Sequence, residues 1–332
     1  MTSLPTLPAA YDLRLRGDGQ PVTTRVARWR SDVGEVAVKT FAAADRARGE
    51  WEACILAFLG EGPASPDIRV QTLVPTRDGA AWAGQPDGGC VLVTRWETGR
   101  YRAYDTYAAN EWAALGRGLG TLHARLDAMP GQAPQTLSAR LAHIDPAVER
   151  AKLELELADR PFPSHPRIDA AWVARYLALC REMLAACYPG AVEGFPTDDT
   201  QRPIHNDYNQ FNYLFGDTLP PLVIDWEASI GAPREFEVVR CLNHLPLQAP
   251  ALARTFVHAY RERRPLRAGH MRWAVDVACL MHATKHWVLQ GWLDGLPGFD
   301  QRLLGAMEMV TMLARGRERL GAFFVDTIEG SH

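Results

Sequence analysis

No run of about 18 apolar residues occurs in the 332-residue chain, so the sequence offers no helix able to span a bilayer. Met1 to Ala10 also lack the basic segment followed by an apolar stretch that marks a secretory leader. The expectation is a soluble, cytoplasmic protein with no membrane partner. An excess of one charge is missing too: 36 Lys and Arg face 39 Asp and Glu, which leaves no electrostatic footprint for a nucleic-acid partner. The one basic cluster, Arg261 to Arg267, reads as a solvated, partly helical face. Six cysteines occur without a CxxC pair, the expected state of buried or idle thiols in a reducing compartment. Cys180 and Cys187 fall seven apart on one face of an expected helix, a spacing to which no metal or disulfide is assigned. No internal repeat is present, which excludes solenoid architectures.

What is present is enough apolar material, 47% of the residues, to fill the cores of about two domains at ~150 residues each. Up to residue 95 the apolar residues alternate in short runs broken by turns, and beyond it most of the chain has helical periodicity. The expected division is therefore 1–95, a small antiparallel β-lobe with one helix, and 96–332, a larger and mainly helical lobe. Thr23 to Trp29 and Glu35 to Phe41 read as a hairpin, Ala42 to Leu59 as the helix, and Ile68 to Val74 and Cys90 to Trp96 as further strands. Helical spacing covers Ala108 to Leu126, Leu137 to Leu157, Ile168 to Cys187, the region around Arg254, Gly269 to Leu293 and Phe299 to Leu313. Two short strands, Asn212 to Phe215 and Leu222 to Asp225, flank a turn at Gly216-Asp217.

The chemistry concentrates in Pro203-Ile204-His205-Asn206-Asp207-Tyr208-Asn209-Gln210-Phe211-Asn212 and, after that turn, Val223-Ile224-Asp225-Trp226-Glu227. Phosphoryl transfer needs a carboxylate that orients and deprotonates the attacking hydroxyl, and ligands for the metal that neutralises the phosphates. An Asp and an Asn five residues apart across one tight loop meet both needs. Asp207 can face the hydroxyl while the Asn212 amide oxygen reaches Mg²⁺, a hard cation that takes oxygen ligands. Asp225, at the end of an apolar strand, is placed to bring a second metal carboxylate. Earlier in the chain, Val36-Ala37-Val38-Lys39 is an alternating strand ending in the kind of lysine that holds the α- and β-phosphates. Thirteen residues on, Glu52 opens a helical pattern with Leu56 and Leu59.

These motifs resemble the aminoglycoside phosphotransferase and choline kinase family, the small-molecule branch of the protein-kinase-like fold, whose catalytic loop reads H-G-D-x-x-x-x-N and whose metal loop reads I-D-[WFP]-[DE]. The chain has His205-Asn206-Asp207 with Asn212, then Ile224-Asp225-Trp226-Glu227; Asn206 in place of the commoner Gly is similar to choline kinase-like members. The resemblance implies an α+β, bilobal kinase-like fold, ATP and Mg²⁺ as cofactors, and Asp207 as catalytic base. It further implies Asn212 and Asp225 as metal ligands with Glu227 beside them, and His205 as a structural residue of the loop. Lys39 would pair with Glu52, or failing that with Glu50. Thr94 and Trp96 would lie on the hinge strand, Val91 to Trp96, that meets the adenine. The phosphate-covering loop falls between Leu15 and Val22, where Arg16-Gly17-Asp18-Gly19-Gln20 has no GxGxxG and an ordinary hairpin turn is the alternative. Leu122-His123 resembles the end of the family's L-x-x-L-H helix, and Glu237 stands near its structural Asp.

The expected activity is transfer of the γ-phosphoryl group of ATP to a hydroxyl of a small molecule: an amino alcohol, an amino sugar or aminoglycoside, or a homoserine-like acceptor. A protein kinase is the alternative, opposed by the lack of a Lys two residues after Asp207, of D-F-G and of A-P-E. A nucleotide-binding protein without catalysis is the other, opposed by the intact Lys39, Asp207, Asn212 and Asp225. His282 and His286 have zinc-pair spacing but no Glu between them, and read as ordinary helix residues. Asp198-Asp199 reads as a solvated turn. Trp273, Trp287 and Trp292 read as core, with an aromatic box for a quaternary ammonium as the sharper alternative, and Asp276 and Asp294 could face amino groups. The sequence sets no oligomeric state.

Overall fold

Strands buried on both faces organise the first part of the chain. The computed structural model describes residues 7–155, 162–216 and 220–330. It begins with β1 (Leu15–Pro21), β2 (Val26–Ser31), β3 (Gly34–Phe41), α1 (Arg46–Glu61), β4 (Arg69–Val70), β5 (Ala83–Gly84) and β6 (Cys90–Arg95). Five of these form an antiparallel sheet in the order β1-β2-β3-β6-β5. Along β3, Val36 and Val38 enter a core with Tyr11, Val91 and Val93. Phe41 joins Cys90 and Leu92 in a second cluster, the one Gly49 of α1 meets. Lys39 shares the parity of Phe41 and so points toward the helix side.

The chain continues through α2 (Ala109–Leu126), α3 (Leu137–Ala142), α4 (Pro146–Leu155), α5 (Ala170–Glu193), β7 (Pro203–Ile204), β8 (Tyr213–Leu214), β9 (Leu222–Val223) and β10 (Ile230–Gly231). It ends with α6 (Arg234–Leu242), α7 (Leu245–Gln248), α8 (Pro250–Arg261), α9 (Ala268–Ala283), α10 (His286–Leu293) and α11 (Phe299–Glu329). The architecture is mixed, an antiparallel sheet followed by a mostly helical remainder, as expected. Two compact units emerge, one from residues 1–134, 202–231 and 259–264, the other from 135–201, 232–258 and 265–332. In the first, β9 pairs with β8 and with β4, and β10 pairs with β7. In the second, α9 packs against α5, α6 and α11. Among the described residues no helix is long and apolar enough to cross a membrane, and all six cysteines are free.

The differences from expectation have local causes. The stretch from Leu137 to residue 155 is two helices because Pro146 opens the second, where a missing N–H costs nothing; residues 156–157 lie outside the described residues. The span Gly269 to Leu293 breaks at Thr284, whose hydroxyl bonds back to the Leu280 carbonyl at 3.0 Å. Ile68 to Val74 is a strand only at Arg69–Val70. The first strand of the expected hairpin begins at Val26 rather than Thr23, because Thr23 Oγ1 accepts the N–H groups of Arg25 and Val26 and closes a turn. Of the expected Gly216-Asp217 turn, Asp217 lies outside the described residues.

Candidate active site

Strand β3 and helix α1 together build a buried ion-pair cluster. Lys39 Nζ donates to Glu52 Oε2 at 2.8 Å and to Asp225 Oδ1 at 2.7 Å, and lies 3.1 Å from Glu227 Oε2. Burial alone would lower the Lys39 pKa, but Glu52, Asp225 and Glu227 outweigh it and hold the ammonium above its ordinary value. Glu52 is fully buried, and that raises its carboxyl against the pull of Lys39. Glu50 is spent on Arg46 at 2.6 Å. Glu52, Asp225 and Glu227 approach closely enough to hold one metal ion together, but the cation they already share is Lys39.

The loop between β7 and β8 presents Asp207. Asn206 sits at φ +63°, the left-handed region open to Gly and, among other residues, best tolerated by Asn and Asp. Its amide donates to the Ala228 carbonyl at 2.8 Å. That backbone demand explains why Asn can stand at a position where glycine also works. His205 is buried; the Ile224 carbonyl can only accept, so Nε2 carries the proton donated to it at 2.9 Å, and Nδ1 accepts the Asp207 N–H at 3.2 Å. Burial lowers the His205 pKa and keeps the ring neutral. The imidazole thus ties the loop that bears Asp207 to the segment that follows β9 and bears Asp225.

Both oxygens of Asp207 accept side-chain amides: Asn209 Nδ2 on Oδ1 at 2.7 Å and Asn212 Nδ2 on Oδ2 at 2.8 Å. Asn212 also donates to the Asp207 backbone carbonyl at 2.8 Å. Its NH₂ is thereby spent, leaving Oδ1 as the side-chain atom able to ligate a hard cation. Asn209 was not singled out by the sequence reading; its signal was the two-residue spacing at which Asx side chains bond locally. Asp225 occupies φ +64°, ψ 72°, strain of about 1–3 kcal/mol for a non-glycine residue. Its N–H is held by Gln71 Oε1 at 3.0 Å. This kink ends the strand and turns the carboxylate toward Lys39. Burial would raise the Asp225 carboxyl, yet Lys39 outweighs it and draws the pKa below the ordinary value. Oδ2 has no protein partner among the described residues, and the side chain is 45% exposed.

A cleft of about 840 Å³ is lined by Lys39, Asn212 and Asp225, and by Thr94 and Trp96. The turn Val22 to Arg25 lines it as well. Of Leu15 to Val22, where the phosphate-covering loop was expected, Gln20, Pro21 and Val22 line this cleft, while Arg16, Gly17 (φ +69°) and Asp18 lie in the bulged β1 and, with Gln20, line a second hollow of about 460 Å³. Thr94 is buried on β6, its hydroxyl 3.5 Å from Gln71 Nε2. The Trp96 N–H is spent on the Glu35 carbonyl at 2.9 Å and its ring lies under the Arg28 guanidinium. Glu97, Thr98 and Gly99, which also line the cleft, keep backbone amides without a protein partner among the described residues. Glu227 also lines the cleft and is engaged there in ion pairs, with Arg25 at 2.7 Å, Lys39 at 3.1 Å and Arg48 at 3.5 Å.

In the second unit the other candidates are engaged structurally. His282 lies on α9 while His286 opens α10 and pairs with Glu149 at 2.6 Å, so the two make no zinc pair. Asp198 and Asp199 are held by Arg267, which Glu235 also binds. Trp273 donates to the Ala191 carbonyl at 2.9 Å, Trp292 is buried, and Trp287 is exposed beside Phe299. Asp276 pairs with Arg317 at 2.6 Å. Asp294 accepts from Gln290 at 2.9 Å, and Glu237 is buried on α6.

A family model described as the APH phosphotransferase enzyme family matches residues 15–271. Among solved structures, an aminoglycoside phosphotransferase from Alicyclobacillus acidocaldarius is 14% identical with a TM-score of 0.62, over 99% of this chain and 98% of its own. A spectinomycin phosphotransferase solved with ADP and spectinomycin is 12% identical with a TM-score of 0.64, over 92% and 93%. A microcompartment-associated aminopropanol kinase is 16% identical with a TM-score of 0.59, over 96% and 97%. At such identities the likeness establishes the fold. No curated protein sequence matches the chain.

Proposed function

Because the chain belongs to the APH phosphotransferase enzyme family, we propose that it is a small-molecule kinase that moves the γ-phosphoryl group of ATP to a hydroxyl group. The observation that carries this reading is the convergence of the Lys39–Glu52 pair, the Asn212 amide and the Asp225 carboxylate on one cleft. Lys39, aligned by Glu52, holds the α- and β-phosphates. Asn212 Oδ1 and Asp225 Oδ2 are hard oxygen donors unengaged by protein among the described residues, a donor set that suits Mg²⁺. The metal, when bound, neutralises charge on the β- and γ-phosphates. Glu227 steadies the cations around that site. Asp207, fixed by the two asparagine amides, orients the acceptor hydroxyl and takes its proton. Thr94 and Trp96 line the side of the cleft assigned to the base, with the amides of residues 97–99 as donors to it. Nucleotide binding is assigned mainly to residues 1–95, and the catalytic loop, metal loop and acceptor pocket to 96–332. An ATP donor suits a cytoplasmic enzyme, which is the location we propose.

For the acceptor we favour an amino alcohol or amino sugar. Support comes from similarly folded proteins named for spectinomycin and aminopropanol. The engagement of Trp273 and Trp292 in the core counts against a tryptophan box for a quaternary ammonium. The test is ATP consumption with Mg²⁺ across amino alcohols, aminoglycosides, hexosamines, homoserine and choline. Turnover with one class names it; turnover on none, despite nucleotide binding, counts against the kinase reading.

A further inference from the structure

We propose that the side chain of Arg25 binds the triphosphate alongside Lys39, an inference that rests on the kinase reading and adds a residue to it. The β1–β2 turn spends four of its amides on itself. The N–H groups of Val22 and Thr23 donate to the Val26 carbonyl, and those of Arg25 and Val26 to Thr23 Oγ1. Most of what such a turn can offer a phosphate is therefore a side chain, not the backbone cradle of a glycine-rich loop. Arg25 is the cation it offers. Its carbonyl accepts the Thr40 N–H at 2.9 Å, which anchors it beside Lys39 on β3. Its Nη2 donates to Glu227 Oε1 at 2.7 Å, and the other oxygen of that carboxylate lies 3.1 Å from Lys39 Nζ. Two cations thus ride on one carboxylate, both lining the cleft. The Phe41 ring, 5.7 Å away, supports the guanidinium.

A guanidinium carries five N–H donors. Among the described residues only Nη2 of Arg25 has a hydrogen-bond partner, and the side chain is 38% exposed. Nε and Nη1 can therefore take a phosphate oxygen while Glu227 stays bound, the planar geometry for which arginine outperforms lysine.

Calorimetric titration of wild type, Arg25→Gln and Arg25→Lys with Mg²⁺ and AMP-PNP, and separately with adenosine, tests this. Arg25→Gln should lose about 10- to 100-fold in affinity for the triphosphate, the worth of one charged hydrogen-bonding group, while adenosine binds as before. Equal triphosphate affinity in the variant, or an equal loss for adenosine, overturns the proposal. If Arg25→Gln does not fold, Arg25→Lys, which keeps the charge, carries the test: it should lose several-fold for the triphosphate alone, and no loss refutes the role. Failure of the wild type to bind either ligand would instead sink the kinase reading itself.

Discussion

Lys39 illustrates how a buried cation is made tolerable. Its side chain is 10% exposed and its ammonium touches three carboxylates, one of them the fully buried Glu52. Removing the lysine strands that carboxylate without its counter-ion, and breaking such a pair costs about 3–5 kcal/mol. Lys39→Met should therefore lower the unfolding free energy by that order in urea denaturation, and adding Glu52→Gln should recover part of it. The pairing of Lys39 with Glu52 was implied by the family resemblance, with Glu50 as the alternative, and the structure has Lys39 on Glu52 and Glu50 on Arg46. Asp207 with Asn212, and Ile224-Asp225 after them, were legible in the sequence as short spacings that one loop must satisfy. Gln71, Asn209 and Arg25 were not. Gln71 reaches Asp225 across 154 residues and Arg25 reaches Glu227 across 202, and no local pattern records such a meeting.

Helix α1 owes its position to a glycine. A Cβ at Gly49 would come within 2.5 Å of the Phe41 ring and 2.7 Å of Cys90 Sγ, far inside contact distance. Gly49→Val should cost roughly 1–3 kcal/mol by overpacking, read as a lower Tm. It should also raise the KM for ATP, because the displaced helix carries Glu52 away from Lys39. Helix α9 yields a prediction about pH. Burial, with Lys285, Arg240 and His244 nearby, holds the His282 pKa well below the ordinary value. The unfolded state, with a histidine pKa of about 6.5, then binds the proton more readily than the folded state. The stabilisation is complete above about pH 6.5 and falls as the pH drops below it, with a slope approaching about 1.4 kcal/mol per unit. His282→Asn should flatten the acid limb of a stability–pH profile; an unchanged slope would refute the assignment. Helical periodicity marked α1 and α2, and the run Val36-Ala37-Val38 marked β3, which buries both of its faces. Periodicity ran α9 into α10, because the Thr284 hydroxyl bond that ends α9 leaves the apolar pattern intact.

At the scale of the molecule, the candidate site belongs to one compact unit built from three separated stretches, 1–134, 202–231 and 259–264. A composition shift near Arg95 reads the chain in order and does not register the return of residues 202–231 to the sheet-bearing unit. Asp225 meets Lys39 through that return, and with it the loop that presents Asp207. The account makes Asp207 the base of a phosphoryl transfer and leaves nucleotide binding to Lys39, Asn212 and Asp225. The most direct test is Mg²⁺-dependent ATP turnover by wild type and Asp207→Asn on the best acceptor found, with nucleotide affinity measured in parallel. The account predicts a fall in kcat of about 10²-fold or more, the range of a general base, with nucleotide affinity changed less than about three-fold. Turnover that survives the substitution, or a loss confined to nucleotide affinity, would contradict it.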